Sequence, residues 1–321
     1  MLQRILVPLD GSPFAEQSLP VAARIARASK GSLLLVQVVT KAVEYGLYPE
    51  RHAIALQEEL LKTEYDAAMY YLTRVTYKEE LVGLDKQIEV LSGEPADRLL
   101  SLMKGHQIDM IVMCRRGQRH GQHGILGRTA HKIALHSPAP VLLVSDDHLA
   151  SISVKEHRGV NALVGLDGSL LAERTLAPTA SLVTALSAPA HGSLHLVQVI
   201  TTSGREGKHH VPGDGNMEQV HQVTEVYFHA TIERLERELI NRDLSITSSI
   251  VAGSDVVRTL IDMAQHQGEG TGTNHDGRAD LIAVATHGHG VVQHLMGSVA
   301  EHLLNTTTLS LFLIRPTQSL T

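Results

Sequence analysis

The run Leu6-Val7-Pro8-Leu9-Asp10-Gly11-Ser12 returns as Leu163-Val164-Gly165-Leu166-Asp167-Gly168-Ser169, identical at six of seven positions. The likeness continues outward from it. The ten residues from Gly31 to Thr40 match those from Gly192 to Thr201 at eight positions. Gly93, ahead of a short helical pattern, pairs with Gly253, and Asp109-Met110-Ile111-Val112 pairs with Asp280-Leu281-Ile282-Ala283. A repeat this long makes the chain a tandem duplication, which suits 321 residues, more than one hydrophobic core usually organises. Partner offsets of 157, 161 and 160 residues jump to 171 between Gly253 and Asp280, so about eleven residues are inserted there. The Gly-rich polar stretch His266 to Gly277 accounts for them and reads as a surface loop. We place one domain at residues 1–148 and the other at 158–317, with the boundary in the polar segment Ser145 to Asn161.

Within each repeat, short apolar β-rich runs alternate with helical patterns, as in a parallel sheet covered by helices. In the first repeat the strands fall at Arg4–Leu9, Ser32–Val39, Gln87–Leu91, Met110–Met113 and Val141–Val144. Ser12 is placed to cap a helix with Pro13 in its first turn, running to about Ser29. A long helix is expected from about Pro49 to Lys78, with Leu61, Tyr65, Ala68, Leu72 and Val75 as its apolar stripe. Val220, Val223, Tyr227 and Ala230 make the corresponding stripe in the second repeat. The fold class is therefore α/β: two tandem Rossmann-like domains, each an open five-stranded parallel sheet with helices on both faces. Ligands in such sheets bind beyond the carboxyl ends of the strands, where strand order reverses.

Composition narrows the function. Lys and Arg total 28 against 34 Asp and Glu, a formal charge of −6, which disfavours a nucleic-acid-gripping surface. Aromatic residues are 3% with no Trp, too few for base-stacking platforms. The one cysteine, Cys114, cannot form an internal disulfide and suits a reducing compartment; a small buried residue at a strand end is the favoured reading of it over a redox sensor. No apolar run reaches the roughly 18 residues of a membrane span, and the first apolar stretch is too short for a signal peptide. A cytoplasmic location is expected.

The chemistry-bearing segment follows the fourth strand. The first repeat reads Cys114-Arg115-Arg116-Gly117, nine residues, then Gly127-Arg128-Thr129; the second reads Ala285-Thr286-His287-Gly288, eight residues, then Gly297-Ser298-Val299. Glycine after a strand admits a phosphate close to the backbone, and a helix start offers N–H groups at the positive end of its dipole. Arg115, Arg116, Arg119 and His120 form a basic cluster beside that position, read either as neutralising a polyphosphate or as solvated surface charge. Of twenty His, the closest pairs are His209-His210 and His287 with His289, without Cys partners or HExxH spacing, so no metal site is assigned. No Ser-His-Asp order, paired carboxylates or Walker loop stands out, so no catalytic residue is assigned.

Pro8-Leu9-Asp10-Gly11-Ser12, Gly93-Glu94-Pro95-Ala96, the loop of form Gly-x9-Gly and the closing Ser137-Pro138-Ala139-Pro140-Val141-Leu142-Leu143-Val144 resemble the universal stress protein family, once per repeat. The resemblance implies a Rossmann-like sheet and association through the last strands, with one branch of the family binding ATP and another not. It places Asp10 and Asp167 at the ribose and adenine end and Val38 and Val199 against the base. Gly117, Gly127, Arg128 and Thr129 in the first repeat, and Gly288, Gly297, Ser298 and Val299 in the second, fall around the phosphates. The sequence departs from that pattern where Cys114 and Ala285 replace a glycine, where Arg128 replaces a hydroxyl residue, and where the second loop is one residue short. For the two aspartates, a plain turn before a helix is the competing reading. The expectation is a stress-response protein that binds ATP, ADP or AMP, with Mg²⁺ where the phosphates carry it. It would act as a switch or partner-binding module, with a homodimer and an unidentified protein as partners. A nucleotide-free scaffold is the alternative, and a slow ATPase the third.

Overall fold

The protein is described from a computed structural model over residues 2–40, 50–115, 126–145, 158–201, 217–238, 243–266, 278–287 and 296–315. It divides into two compact units, Met1–Asp146 and Asp147–Thr321.

The first unit runs β1 (Arg4–Leu9), α1 (Pro13–Glu16), α2 (Ser18–Ser29), β2 (Ser32–Val39), α3 (Glu50–Thr76), β3 (Asp85–Ser92), α4 (Pro95–Gly105), β4 (Met110–Cys114), α5 (Arg128–His136) and β5 (Val141–Val144). Its strands pair in parallel in the order β3-β2-β1-β4-β5. The second unit repeats this as β6 (Asn161–Leu166), α6 (Leu170–Glu173), α7 (Leu176–Ser187), β7 (Gly192–Thr201), α8 (Met217–Glu238), β8 (Leu244–Gly253), α9 (Val256–His266), β9 (Leu281–Ala285), α10 (Ser298–Thr306) and β10 (Ser310–Ile314). Its order is β8-β7-β6-β9-β10, again parallel. These are the two doubly wound sheets expected from the repeat. Leu33, Leu34, Leu35 and Val36 of β2 are buried, as a strand covered on both faces requires. Strand order reverses between β1 and β4 in the first unit and between β6 and β9 in the second. Pro8 is tolerated in a central strand because the β1–β4 register involves only Ile5 and Leu6, upstream of it.

Three helical expectations are corrected. The single helix from Pro13 to Ser29 is two, broken at Gln17. Pro20 has no N–H to reach the Glu16 carbonyl, and the Ser18 hydroxyl takes the Ala15 carbonyl at 2.6 Å. The stripe of α3 is buried only at Ala68, Leu72 and Val75, while Tyr65 is 41% exposed. A helix of 27 residues is about 40 Å long and overhangs an eight-residue strand of about 27 Å. In α8 the buried face is Thr224, Phe228, Thr231 and Leu235, with Tyr227 half-buried, whereas Val223 is 71% exposed and Ala230 is exposed. The larger Phe and Leu gain more by burial than Val and Ala, and they rotate the helix by about one residue. The side chain of Val220 lies outside the described residues.

Candidate functional site

At the switch point of the first unit, just beyond the carboxyl ends of β1, β2 and β4, lies a cleft of about 810 Å³. Its lining includes Asp10, Val38, Gly127, Arg128 and Thr129, so the strand-end residues and the helix-start residues singled out above converge on one space. Gly117 lies outside the described residues, as do Arg116, Arg119 and His120 of the basic cluster.

Each of these residues is placed by a local device. The backbone turns out of β1 through Gly11 at φ +81°, a conformation that favours glycine. The Asp10 carboxylate oxygen Oδ1 accepts from the Ser12 N–H at 3.0 Å and the Ser12 hydroxyl at 2.6 Å. The Ser12 hydroxyl oxygen in turn accepts from the Ala15 N–H at 3.2 Å, capping α1 as expected. Asp10 is thus both a turn-forming residue and part of the cleft wall. Val38 stands one residue beyond the last β1–β2 pair, Leu9 with Gln37, so the cleft opens where the ladder stops. Gly127 precedes α5 and spends its N–H on the Arg115 carbonyl at 2.8 Å. The first-turn amides of α5 that follow, at Arg128, Thr129 and Ala130, have no acceptor within the helix. Cys114 is 5% exposed and lines the cleft floor, with its thiol donating to the Ala15 carbonyl at 3.9 Å.

Charges of both signs line the cleft. Asp10, Glu64 and Glu94 stand in its lining with Arg115 and Arg128, and the two arginines accompany the positive end of α5. Arg115 is 9% exposed, so its charge acts in a partly desolvated setting. Tyr71 also lines the cleft. Burial first, then the Glu16 carboxylate that accepts its hydroxyl, and then Asp10, push its pKa well above that of an ordinary tyrosine.

The second unit carries the same devices. Asp167 Oδ1 accepts from the Ser169 N–H at 2.9 Å and its hydroxyl at 2.6 Å, after Gly168 at φ +76°. Val199 stands one residue past the last β6–β7 pair, Leu166 with Gln198. Gly297 donates to the Thr286 carbonyl at 2.7 Å ahead of α10, whose first residues are Ser298 and Val299. His287 has its Nδ1 2.8 Å from the Thr286 hydroxyl, and burial together with Arg315 lowers its pKa. Gly288, His289, His209 and His210 and residues 267–277 of the insertion lie outside the described residues.

Two groups escaped the sequence reading. Gln37 and Gln198, equivalent in the repeat, each bury a side-chain carbonyl oxygen that has no hydrogen-bond partner among the described residues, and Gln37 lines the cleft. Glu16, Tyr71 and Lys78 meet in the first unit, and their counterparts Glu173, Tyr227 and Arg234 gather in the second. Both were legible as residues that recur between the aligned repeats.

A duplicated, doubly wound α/β protein with a cleft at the switch point is the class this geometry defines. The universal stress protein family model matches residues 1–145 and 161–315, and the chain belongs to that family. It is 28% identical over 144 residues to a universal stress protein of Methanocaldococcus jannaschii, covering 45% of this chain and 82% of the relative. A relative from Thermus aquaticus is 32% identical over 145 residues, covering 45% and 99%. Among solved structures, a universal stress protein from Archaeoglobus fulgidus superposes with a TM-score of 0.64 at 18% identity, covering 99% of this chain and all of that one. Among the described residues no helix is long and apolar enough to cross a membrane.

Proposed function

We propose that the first unit's cleft binds an adenine nucleotide and that the chain acts in the stress response as a nucleotide-dependent switch or partner-binding module. The observation that carries this reading is the convergence on one cleft, of ligand-sized volume, of Asp10 and Val38 at one set of strand ends and Gly127, Arg128 and Thr129 at the helix start. A nucleotide has the matching asymmetry. Its sugar hydroxyls and exocyclic amine donate to carboxylates and carbonyls, and its phosphates accept from arginine and helix amides. Gln37 adds a buried carbonyl oxygen in want of a donor. Arg128, where the family resemblance leads one to expect a hydroxyl residue, supplies charge to the phosphates. Mg²⁺, where it accompanies the nucleotide, would enter on the phosphates. It would there offset their charge.

The scaffold reading has one observation in its favour. The Asp10 turn and the Gly127 amide are each satisfied within the protein, by Ser12 and by the Arg115 carbonyl. Calorimetric titration with ATP separates the two. Binding that weakens about tenfold or more in Arg128→Glu, by loss of a charge-assisted contact and gain of repulsion, supports the nucleotide reading. Equal heats in wild type and variant, or none at millimolar ATP in either, refute it.

A further inference from the structure

Glu16 ends α1, while Tyr71 lies on α3 and Lys78 two residues beyond that helix. The Tyr71 hydroxyl donates to Glu16 Oε1 at 3.0 Å and the Lys78 ammonium to Oε2 at 2.6 Å, so both carboxylate oxygens are engaged from the α3 side. On its own side, Glu16 belongs to the capped turn: its N–H donates to the Ser12 carbonyl at 3.4 Å, and the Ser12 hydroxyl donates to Asp10. Asp10 and Tyr71 both line the cleft, together with Glu64, Ala67 and Ala68 of α3. One helix therefore walls the cleft and is tied, through a single hydroxyl and a single ammonium, to the loop that presents Asp10.

The second unit holds the same residues in a different setting. Arg234, in the place of Lys78, pairs with Glu173 Oε2. The Tyr227 hydroxyl is buried beside Glu173 and Thr231, and burial first and then Glu173 raise its pKa; among the described residues it makes no hydrogen bond as well formed as that of Tyr71 to Glu16. The second contact is therefore the looser of the two.

We propose that Tyr71 and Tyr227 are positioning residues of a latch, in which the hydroxyl on the glutamate fixes the helix to the aspartate loop, tighter in the first unit than in the second. The affinity consequence rests on the nucleotide reading above. The tighter latch holds the Asp10 loop in its binding geometry before ligand arrives; with the looser one, binding at the Asp167 loop bears more of the ordering cost.

Tyr71→Phe keeps the ring in the cleft wall and removes only the hydroxyl. In the ligand-free full chain, amide exchange over Ser12–Glu16 and the middle of α3 is expected to quicken about tenfold, with the rest of the unit unchanged. That is the lower end of what one hydrogen bond to a charged acceptor supplies. ATP affinity at the first unit, measured in an Asp167→Ala background, is expected to fall by about tenfold, equivalent to about 1.4 kcal/mol. Glu16→Gln keeps an acceptor for Tyr71 but loses the charge and sets an amide NH₂ against the Lys78 ammonium, so it is expected to quicken exchange over the same segments. Tyr227→Phe is expected to quicken exchange over Ser169–Glu173 several-fold less than Tyr71→Phe does over Ser12–Glu16. Unchanged exchange in Tyr71→Phe, exchange that quickens throughout the unit, or an equal effect from Tyr227→Phe overturns the latch. If wild type binds no ATP, the nucleotide reading falls, and the exchange comparison alone upholds or overturns the latch.

Discussion

Asp10 carries two duties that substitution can separate. Alanine removes both the acceptor that holds the Ser12 N–H and hydroxyl, at 3.0 and 2.6 Å, and the charge that faces the cleft. Asparagine keeps a carbonyl oxygen in the Oδ1 position and removes only the charge. Hydrogen bonds to a charged group contribute about 1.5–3 kcal/mol each and neutral ones about 1 kcal/mol. The Ser12 N–H lies in the partly buried turn, while its hydroxyl can turn elsewhere. We therefore expect Asp10→Ala to cost about 2 kcal/mol of local stability and Asp10→Asn about 1 kcal/mol or less. Amide exchange of the α1 turn reads this directly in a chain of two units, where global unfolding need not be two-state. Both variants are expected to weaken ATP binding through the lost charge, alanine the more because it also loosens the loop. Equal destabilisation by alanine and asparagine would refute the turn-forming role. Binding retained in asparagine but lost in alanine would show that the loop's shape, rather than its charge, matters to the ligand.

The revised face of α8 predicts that Phe228→Ala costs about 3–5 kcal/mol in urea unfolding, while Val223→Ala stays within about 0.5 kcal/mol; the reverse order would restore the valine stripe. Gly11→Ala and Gly168→Ala, at φ +81° and +76°, are each expected to cost about 1 kcal/mol or more by forcing a side chain into the left-handed region, read from thermal unfolding. Tyr71 has a raised pKa in the folded protein, so its contribution is present below the ordinary tyrosine value of about 10 and is lost as pH rises beyond it. Tyr71→Phe is expected to flatten the alkaline fall of stability. His287 is shifted the other way: its contribution is present above the ordinary histidine value of about 6.5 and declines as pH falls through it. His287→Gln is expected to shallow that acid slope, and an unaltered slope would contradict the shift.

Much of the architecture was legible because duplication prints each signal twice. The strand sequence β1 to β5, the Ser12 cap and the small buried residue at Cys114 follow from local pattern and steric need, which neighbouring residues alone determine. The break at Gln17 was readable in Pro20, whose missing N–H acts four residues upstream, but the apolar period runs across it undisturbed. The face of α8 was ambiguous because two stripes, Val220-Val223-Tyr227 and Thr224-Phe228-Thr231-Leu235, lie side by side at helical spacing, and only packing against the sheet decides between them. The switch-point rule pointed to the loops that meet at the cleft, and the family resemblance named Asp10, Val38, Gly127, Arg128 and Thr129 within them. The contact between Glu16 and Tyr71 joins residues 55 apart and has no local signature; comparison of the two repeats was the route to it.

The most direct measurement is a structure of the full chain determined with ATP. The account predicts adenine and ribose between Val38 and Asp10, with phosphates at Gly127–Thr129 and within reach of Arg128. A nucleotide bound elsewhere, or a cleft without nucleotide at saturating ATP, would contradict it.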